Sequence, residues 1–539
     1  MKNFNSKILF TALFCAVFCS QSIYARVIYV DLHSQFISVA NWNNLTPQQR
    51  TSAFNFANSW ATAMPDLQFA MYYAANGDEI WVKATPASDP YIPMGYVPIF
   101  VNDINYFYIR NDVKVYGGFK GKETDLKERN SWFINQTHLS TTQHTTDYTL
   151  YMAGSNSLLD GFYIDFLSTN TAGIVMESGT ADDNQVIANT VIKGNVHKIG
   201  GLYFPNKRFG IINVGGDNTV PSGCGAVLYN VVIYGFLLNT IHNLDENSII
   251  NVDGGNLDIW NVTIADNVSD PTNNNPKGIE GLAVTLGMGQ IFGNIINKYP
   301  INVNIVNTII WFRDWTSSYY GTKSQAIKLN DFGFGAIKVS YSDIMNSGGS
   351  GSNIGFWTVG VSDAGNNIDQ KPNFLIDFNN LPSNLSHIWY QLDQTSPVID
   401  MGLNDYPRCL PYFWIYEYFD LKNEYRIVND IIDMGAFEWQ DPMYKHSANI
   451  QQSPRRNDSQ NNLQLQIFPN PVSGIAELQL GNLTSGKVFI TDLQGKTLET
   501  FTITENRISL DVTNYQPGIY LVRILSDNTN VTEKLIVRK

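Results

Sequence analysis

The amino-acid sequence predicts an all-β protein, in which a parallel β-helix coiled as a solenoid is followed by a small Ig-like β-sandwich. Between residues 156 and 344 a short sequence motif recurs. It consists of a turn residue followed by alternating β-branched residues, and it shows little helical periodicity. The motif begins at Gly161, Asn189, Asn230, Asn261, Asn307 and Tyr341. Steps of 28 to 46 residues that carry strand and turn signals are typical of repeats that bury their apolar faces on one another.

Each repeat is expected to add a strand to long parallel sheets. Side chains alternate along a strand, so Val231 and Ile233 are predicted to point into an apolar column and their neighbours to face solvent. Val262 and Ile264 occupy the same places in the next repeat. Asn tolerates the left-handed turn conformation, and its amide bonds amides above and below it in a ladder. The pattern therefore favours a structural role for the recurring Asn residues over ligand contact.

Length and charge limit the partners of this chain. It has 539 residues, too many for one ordinary core, but the coils of a solenoid contact only their neighbours. The formal net charge is −13, and about −15 without Lys2 and Lys7 of the N-terminal segment. Such a surface repels nucleic acid and anionic membranes. We expect no nucleic-acid partner, and a polyanionic glycan would need Ca²⁺ or a local basic patch to bind.

Residues 1–25 are predicted to be a signal peptide. Two lysines form its basic start, and the apolar run over residues 8–20 is too short to span a bilayer. No later segment is predicted to be transmembrane. The mature chain keeps Cys224 and Cys409, which do not make a disulfide framework, and whether they pair stays open.

Residues 26–440 are predicted to form the β-helix domain, and residues 26–140 to hold its N-terminal cap and first coils. Strand patterns appear at 27–31 and 79–82. Between them, apolar residues at helical spacing over 66–75 predict a short amphipathic helix. A helix there would shield the open end of the solenoid core, as terminal repeats must.

Three segments in this region carry a resemblance. They are IYVD at 28–31, NGDEIWV at 76–82 and VYGGFKGKETDLKERN at 115–130. In this order they resemble the N-terminal part of secreted bacterial right-handed parallel β-helix proteins of the pectate-lyase-like superfamily. The resemblance implies a right-handed solenoid, and it admits a polysaccharide lyase or a glycoside hydrolase on the same scaffold.

Residues 361–440 are predicted to close the solenoid. They contain SPVIDMG at 396–402 and DMGAFE at 433–438, which resemble the module that ends many surface β-helix proteins before anchors of different types. We interpret Asp400 and Asp433, the Asp residues of these two motifs, as caps of turns rather than as a catalytic pair of carboxylates. Residues 441–462 are rich in Gln, Asn, Ser, Pro and charge, and are predicted to be a linker.

Residues 463–539 are predicted to be a separate Ig-like sandwich, because seven short strand patterns alternate with turn signals. The predicted strands cover 463–468, 475–480, 488–491, 497–503, 507–512, 519–525 and 532–537.

This segment also resembles the type A C-terminal sorting domain of the type IX (Por) secretion system. The residues that carry the resemblance are Pro469, Asn470, Pro471, Gly495, Gly518, Tyr520, Lys534, Arg538 and Lys539. The resemblance implies that the domain engages the type IX machinery, is removed by cleavage in the linker, and leaves its cargo attached to surface lipopolysaccharide. The protein is therefore expected on the cell surface or outside the cell.

The sequence shows no ordered catalytic motif. Polysaccharide-cleaving β-helices group Asp or Glu residues on one sheet face, often with Ca²⁺. Asp253, Asp258 and Asp266 form the best acidic group of the coils, although solvated turn residues explain them more simply. No HExxH motif, GxSxG motif or His pair at metal spacing occurs, so no metal site is predicted.

Aromatic residues follow the Asn307 strand. Trp311, Trp315, Tyr319 and Tyr320 would stack sugars or contact a protein if exposed, and would extend the core if packed on the coil. We therefore expect a non-catalytic surface protein that binds a glycan or a host surface. A polysaccharide-cleaving enzyme is the second hypothesis, and a purely architectural surface component is the third.

Overall fold

The structure is a computed structural model. It describes residues 25–93, 106–129, 132–140, 149–166, 173–178, 184–194, 212–216, 225–238, 248–252, 255–269, 284–286, 301–312, 326–329, 335–354, 356–358, 360–375, 390–405, 407, 419–440, 466–468, 472, 474–479, 486–492, 497–503, 507–516, 518–526 and 529–537. The chain divides into two compact units, Met1–His446 and Ser447–Lys539.

The first unit is built from short strands. In chain order they are β1 (Val27–Val30), β2 (Glu79–Lys83), β3 (Phe107–Ile109), β4 (Lys114–Phe119), β5 (His138–Ser140), β6 (Leu150–Ala153), β7 (Leu158–Asp160), β8 (Tyr163–Asp165), β9 (Ile174–Ser178), β10 (Gln185–Lys193), β11 (Ile212–Gly216), β12 (Ala226–Tyr234), β13 (Leu237–Leu238), β14 (Ile250–Val252), β15 (Leu257–Ala265), β16 (Val268–Ser269), β17 (Val284–Leu286), β18 (Ile301–Val306), β19 (Ile309–Trp311), β20 (Ile327–Leu329), β21 (Gly335–Ser340), β22 (Asp343–Ile344), β23 (Val361–Asp363), β24 (Ile427–Val428) and β25 (Ile431–Ile432).

Most of these strands form two large parallel sheets, while β13 pairs with β16 and β24 pairs with β25 in two small separate sheets. One sheet runs β1-β2-β4-β7-β10-β12-β15-β18-β21-β23, and β5, β8, β19 and β22 pair beside this path. The other sheet runs β3-β6-β9-β11-β14-β17-β20. Successive coils pair in parallel, as β10 does with β12 over nearly its whole length. The predicted fold class, an all-β parallel solenoid, is confirmed.

The first sheet bends at the repeated turn residue. Before Asn189, β10 pairs with β7, and after Asn189 it pairs with β8. The backbone at the bend is left-handed, a conformation that Asn and Gly adopt more readily than other residues. Positive φ angles of 47° to 83° recur at Gly161, Asn189, Asn230, Asn261, Asn307 and Tyr341. The solenoid thus has a first face before the bend, a second face after it, and a third face formed by the other sheet.

The Asn residues at the bends bond one another in part of the solenoid. The Asn230 amide donates to Asn189 Oδ1 at 3.1 Å, and the Asn189 amide donates to Asp160 Oδ1 at 3.1 Å. The predicted ladder of Asn amides is therefore observed between Asn189 and Asn230, and the partner in the coil before them is a carboxylate. At the next bend but one, the side-chain amide of Asn307 instead bonds the backbone of Leu403. Its oxygen accepts the Leu403 N–H at 2.7 Å, and its nitrogen donates to the Leu403 carbonyl at 3.0 Å.

Inward side chains of successive coils stack in columns with no more than 1% exposure. On the second face the column is Ile164, Ile192, Ile233, Ile264, Ile310 and Ile344. On the third face it is Phe107, Leu150, Ile174, Ile212, Ile250, Val284 and Ile327. Val231 and Val262 are also fully buried in this core, as predicted. Burial of each such side chain contributes roughly 1.5–3 kcal/mol.

The expectation that the alternate residues face solvent is wrong for the central coils. The outward side chains Val232 and Tyr234 of β12 are only 2% and 4% exposed. They belong to a second apolar cluster that includes Leu421, Ala436 and Phe437. The physical reason is that residues 419–440, here called the strap, lie against the outside of the second face.

Side-chain hydrogen bonds join the strap to the bend residues. The Asn230 amide donates to the Phe419 carbonyl at 2.9 Å, and Arg426 Nη2 donates to Asn230 Oδ1 at 3.0 Å. The indole of Trp132, 289 residues earlier than its partner, donates to the Leu421 carbonyl at 3.0 Å. An Asn that forms the bend therefore also holds the strap.

A second set of contacts is made by the strap backbone. Gly435 N–H donates to the Asn307 carbonyl at 2.7 Å, and Ala436 N–H donates to Thr263 Oγ1 at 3.0 Å. Gly435 has a φ of +95°, and a Cβ there would come within 2.7 Å of Ile309 Cδ1. Only glycine fits this conformation at this close approach.

The N-terminal cap holds three helices, α1 (Val39–Asn43), α2 (Pro47–Asn55) and α3 (Leu67–Tyr73), and the 3₁₀ turns Trp60–Thr62 and Leu126–Glu128. The predicted capping helix is α3, which begins after Asp66, whose carboxylate accepts the Phe69 N–H at 2.9 Å. The sequence analysis missed α1 and α2. A signal for α2 was present, because Thr46 and Gln49 form a reciprocal capping box.

The described residues of the second unit include seven strands, which correspond to the seven predicted ones. They are β26 (Gln466–Phe468), β27 (Ile475–Gln479), β28 (Lys487–Asp492), β29 (Thr497–Thr502), β30 (Arg507–Asp511), β31 (Gly518–Ser526) and β32 (Thr529–Val537). They form two antiparallel sheets, β26-β27-β30 and β29-β28-β31-β32. Both sheets contribute to one apolar core, in which Leu478, Leu510, Val488 and Val522 are fully buried.

Candidate functional site

A group of tyrosine rings lies on the outer side of the third face. Phe107 and Ile109 of β3 point into the core, so Tyr108 between them points outward. Register pairs Tyr108 with Tyr151 of β6, and their rings are stacked, with centroids 5.6 Å apart and planes 13° apart. Both rings are partly exposed.

Two further rings complete the group, which we call the tyrosine stack (Tyr72, Tyr106, Tyr108 and Tyr151). The Tyr72 centroid lies 6.0 Å from that of Tyr108, and the Tyr106 centroid lies 6.0 Å from that of Tyr151. Helix α3 delivers Tyr72 in its last turn, and Gln68 of the same helix donates to the Tyr106 carbonyl at 3.0 Å. The capping helix and the first two coils of the third face therefore position the stack together.

Charged residues line one side of the stack. Ile109 pairs with Met152, so the next outward position places Arg110 beside Ala153. In the pairing of the following strands, Ala153 of β6 lies beside Glu177 of β9, and Glu177 lies beside Gly215 of β11. Arg110 and Glu177 are exposed and stand two coils apart, with the small Ala153 between them. We call this row (Arg110, Ala153, Glu177 and Gly215) the polar row.

The polar row and the tyrosine stack are in direct contact. The Tyr151 hydroxyl donates to Glu177 Oε2, and Arg110 Nη1 donates to the Tyr72 carbonyl at 3.3 Å. Burial raises the pKa of Tyr108, the negative charge of Glu177 raises it further, and Arg110 acts in the opposite direction. The site thus offers ring surfaces, hydroxyls, a carboxylate and a guanidinium, which suit a ligand with both apolar faces and many hydroxyls.

Two of the three candidate carboxylates are described, and they lie apart. Asp258 is on the first face, where it accepts the Asn304 amide at 2.7 Å, and burial raises its pKa. Asp266 follows the second face and accepts the Tyr390 hydroxyl at 3.2 Å. The bend at Asn261 lies between them, so the two carboxylates stand on different faces of the solenoid. A catalytic pair of glycosidase carboxylates instead flanks one glycosidic bond. Asp253 lies outside the described residues.

The predicted aromatic group is only partly described. Trp311 ends β19, is partly buried, and packs against the cluster of Leu392, Val398 and Met434. Trp315, Tyr319 and Tyr320 lie outside the described residues. The sequence analysis missed the tyrosine stack. Its signal was the alternation Tyr106-Phe107-Tyr108-Ile109, which places two tyrosines on one side of a strand.

A buried His–Asp pair lies on the second face. His138 Nδ1 is 2.5 Å from Asp165 Oδ2, and His138 Nε2 is 2.9 Å from Gln136 Oε1. His138 is 4% exposed and Asp165 is 8% exposed. Both ring nitrogens have protein partners and little access to solvent, so we assign this pair to the structure of the coil.

The strap contains buried carboxylates around Arg426. Burial raises the pKa of Asp420 to about 6 and that of Asp433 to about 7, and it raises the pKa of Glu438 well above its usual range. Asp433 accepts the backbone N–H of Asp400 at 2.7 Å, which fits the predicted turn role of both residues. Among the described residues, no group of three or more His, Cys, Asp or Glu side chains is placed to hold a metal ion.

One family comparison matches the second unit. Residues 466–538 match the family described as the secretion system C-terminal sorting domain. The chain carries a sorting domain of the type IX secretion system. The sorting domain indicates export by the type IX machinery to the cell surface or the extracellular space. No curated protein matches the chain. In the part of the chain that the structure describes, no helix combines the length and apolar character needed to cross a membrane.

The structure describes some of the predicted sorting residues. Gly518 begins β31 of the sorting domain, and the Tyr520 hydroxyl donates to the Gln516 carbonyl at 2.8 Å. Lys534 lies on β32. The remaining residues of that prediction lie outside the described residues, and they are Pro469, Asn470, Pro471, Gly495, Arg538 and Lys539.

Proposed function

We propose that this protein is a non-catalytic glycan-binding protein displayed outside the cell, and that it holds its ligand on the tyrosine stack. The stack is the observation that carries the proposal. Aromatic rings with accessible surface beside hydrogen-bonding groups are suited to sugars, whose C–H faces are apolar and whose edges are polar. Export to the cell surface places this face of the solenoid where glycans of other cells, hosts or the surrounding matrix are available.

The geometry of the carboxylates favours binding over cleavage. Asp258 and Asp266 stand on different faces, and each already accepts a hydrogen bond from a protein side chain.

We also propose that the linker over residues 441–462 is cut after export and that the solenoid is then attached to surface lipopolysaccharide. Mass determination of the protein recovered from the cell surface tests this step, because an intact C-terminus at Lys539 would contradict it.

The binding proposal is tested with the mature protein on a panel of plant, host and microbial glycans. Retention on a glycan matrix is measured in parallel with release of reducing sugars and unsaturated products. We expect retention without product release. Tyr108→Ala and Tyr151→Ala should abolish retention, since each removes a ring of the stack.

Tyr425→Ala is the matched control, because Tyr425 is 47% exposed and belongs to the strap rather than to the stack. Its variant should bind as the wild type does. Retention that survives both stack variants would refute the proposed surface. Product release by the wild type would instead support an enzyme on the same scaffold.

A further inference from the structure

The polar row borders the tyrosine stack and carries its charged groups. This inference rests on the proposed function and names the ligand class for the same surface. Arg110 and Glu177 occupy one outward column two coils apart, which is about 10 Å at the spacing of parallel strands. Ala153 separates them with a side chain of one methyl group, so the row forms a notch beside Tyr151.

The open end of the notch is at Gly215. Register places Gly215 next to Glu177, and a Cβ at position 215 would meet no atom within 4 Å. Among the described residues, the two register neighbours of Glu177, Ala153 and Gly215, therefore add little or no side-chain bulk beside it. The notch is long enough for roughly two sugar rings, judged from the spacing of the strands that form it.

The charges of the notch discriminate between glycans. A carboxylate accepts hydrogen bonds from sugar hydroxyls and repels the carboxylates or sulfates of acidic glycans. The guanidinium of Arg110 donates to hydroxyl and ring oxygens. The net charge of −13 adds a general repulsion of polyanions.

We infer that the notch between Arg110 and Glu177 is a subsite for a neutral, hydroxyl-rich glycan, with Glu177 accepting hydroxyl groups while the sugar rests against the tyrosine stack. Tyr151 orients the carboxylate through its hydroxyl. Neutral glycans should therefore bind more tightly than uronic-acid or sulfated glycans of similar length.

The test is affinity measurement of the mature protein against neutral and acidic oligosaccharides of similar length. Glu177→Gln keeps the shape and an acceptor for Tyr151 but removes the charge. We expect it to lower the affinity for neutral glycans about tenfold, the effect of one lost charge-assisted hydrogen bond. It should also reduce the discrimination against uronic-acid glycans.

A second variant tests occlusion without touching a functional group. Gly215→Phe adds a ring beside Glu177, and it should lower the affinity at least tenfold. Gly215→Ala is the matched control, because a Cβ at this position would meet no atom within 4 Å and the added methyl group should leave binding and thermal stability unchanged.

The outcomes separate this inference from the proposed function. If the wild type binds acidic glycans more tightly than neutral ones, the subsite is wrong while the proposed function stands. The same conclusion follows if Glu177→Gln and Gly215→Phe both bind neutral glycans normally while Tyr108→Ala does not. If the wild type binds no glycan, the proposed function itself fails, and this inference fails with it.

Discussion

Substitution of Gly435 by Ala should detach the strap from the second face. Two costs add at this position. The φ of +95° is unfavourable for an L-residue by about 1–2 kcal/mol. The new Cβ would also lie 2.7 Å from Ile309 Cδ1 and 2.8 Å from Thr263 Oγ1, where normal contacts are about 3.5–4 Å. Relief of such overlap typically costs about 1–3 kcal/mol.

The overlap has a further consequence, because Thr263 Oγ1 is the acceptor for Ala436 N–H. Displacement of that hydroxyl weakens a buried hydrogen bond, at a net cost of about 0.5–1.5 kcal/mol. The expected loss of local stability in the strap is therefore about 3–6 kcal/mol.

Gly365→Ala supplies the matched control. Gly365 has a φ of +104°, and a Cβ there would meet no atom within 4 Å. It shares the backbone cost of Gly435 without the overlap, so its variant should lose only about 1–2 kcal/mol of local stability.

Native-state hydrogen exchange of the strap, followed by mass spectrometry, measures the local opening free energy in both variants. Fluorescence of Trp132, whose indole bonds the Leu421 carbonyl, reports detachment independently. Equal effects of Gly435→Ala on the strap and Gly365→Ala on its own loop would refute the reasoning. The backbone conformation would then account for the whole cost, and the close approach to the coil would contribute nothing.

Two further perturbations test the strap and the bend. Asp420 and Asp433 have folded-state pKa values of about 6 and about 7, above the ordinary Asp value of about 4, so the folded strap favours their protonated forms. Strap stability should be greatest near pH 4 and fall as pH rises to about 7, measured as hydrogen exchange corrected for its intrinsic pH dependence. Asp433→Asn should flatten this profile, and an unchanged profile would contradict the assignment. At the bend, Asn230→Gly should lose the amide contacts but keep the favourable left-handed backbone, whereas Asn230→Ala should cost about 1–2 kcal/mol more in unfolding experiments, since Ala disfavours that conformation. Equal costs for the two variants would show that only the amide matters.

Much of the fold was predictable because its causes are local. Alternation of side chains with period 2 specifies which residues of a strand share a side, and the inward Ile column follows from it. The recurring Asn marks a left-handed bend because few other side chains tolerate that conformation. The seven strands of the sorting domain follow from the same local signals.

The missed features depend on residues that are distant in sequence. The outer side of β12 is buried because the strap returns to it, and the bond from Trp132 to Leu421 spans 289 residues. Nothing in the alternation of β12 distinguishes a side that meets solvent from one that meets the strap. The period-2 alternation predicts which side chains share a side of the strand. It does not predict whether that side contacts solvent or another part of the chain.

The candidate site likewise depends partly on local sequence and partly on contacts between residues that are distant in sequence. The sequence by itself contained the alternation that turns Tyr106 and Tyr108 to the same side, although we did not predict the site from it, and it contained the residues that indicate a sorting domain. Only the tertiary structure decided that Tyr151, Tyr72 and the charges of Arg110 and Glu177 meet them there. Coil lengths vary between repeats, so the register that brings one coil over the next is set by packing of the apolar column rather than by spacing along the chain.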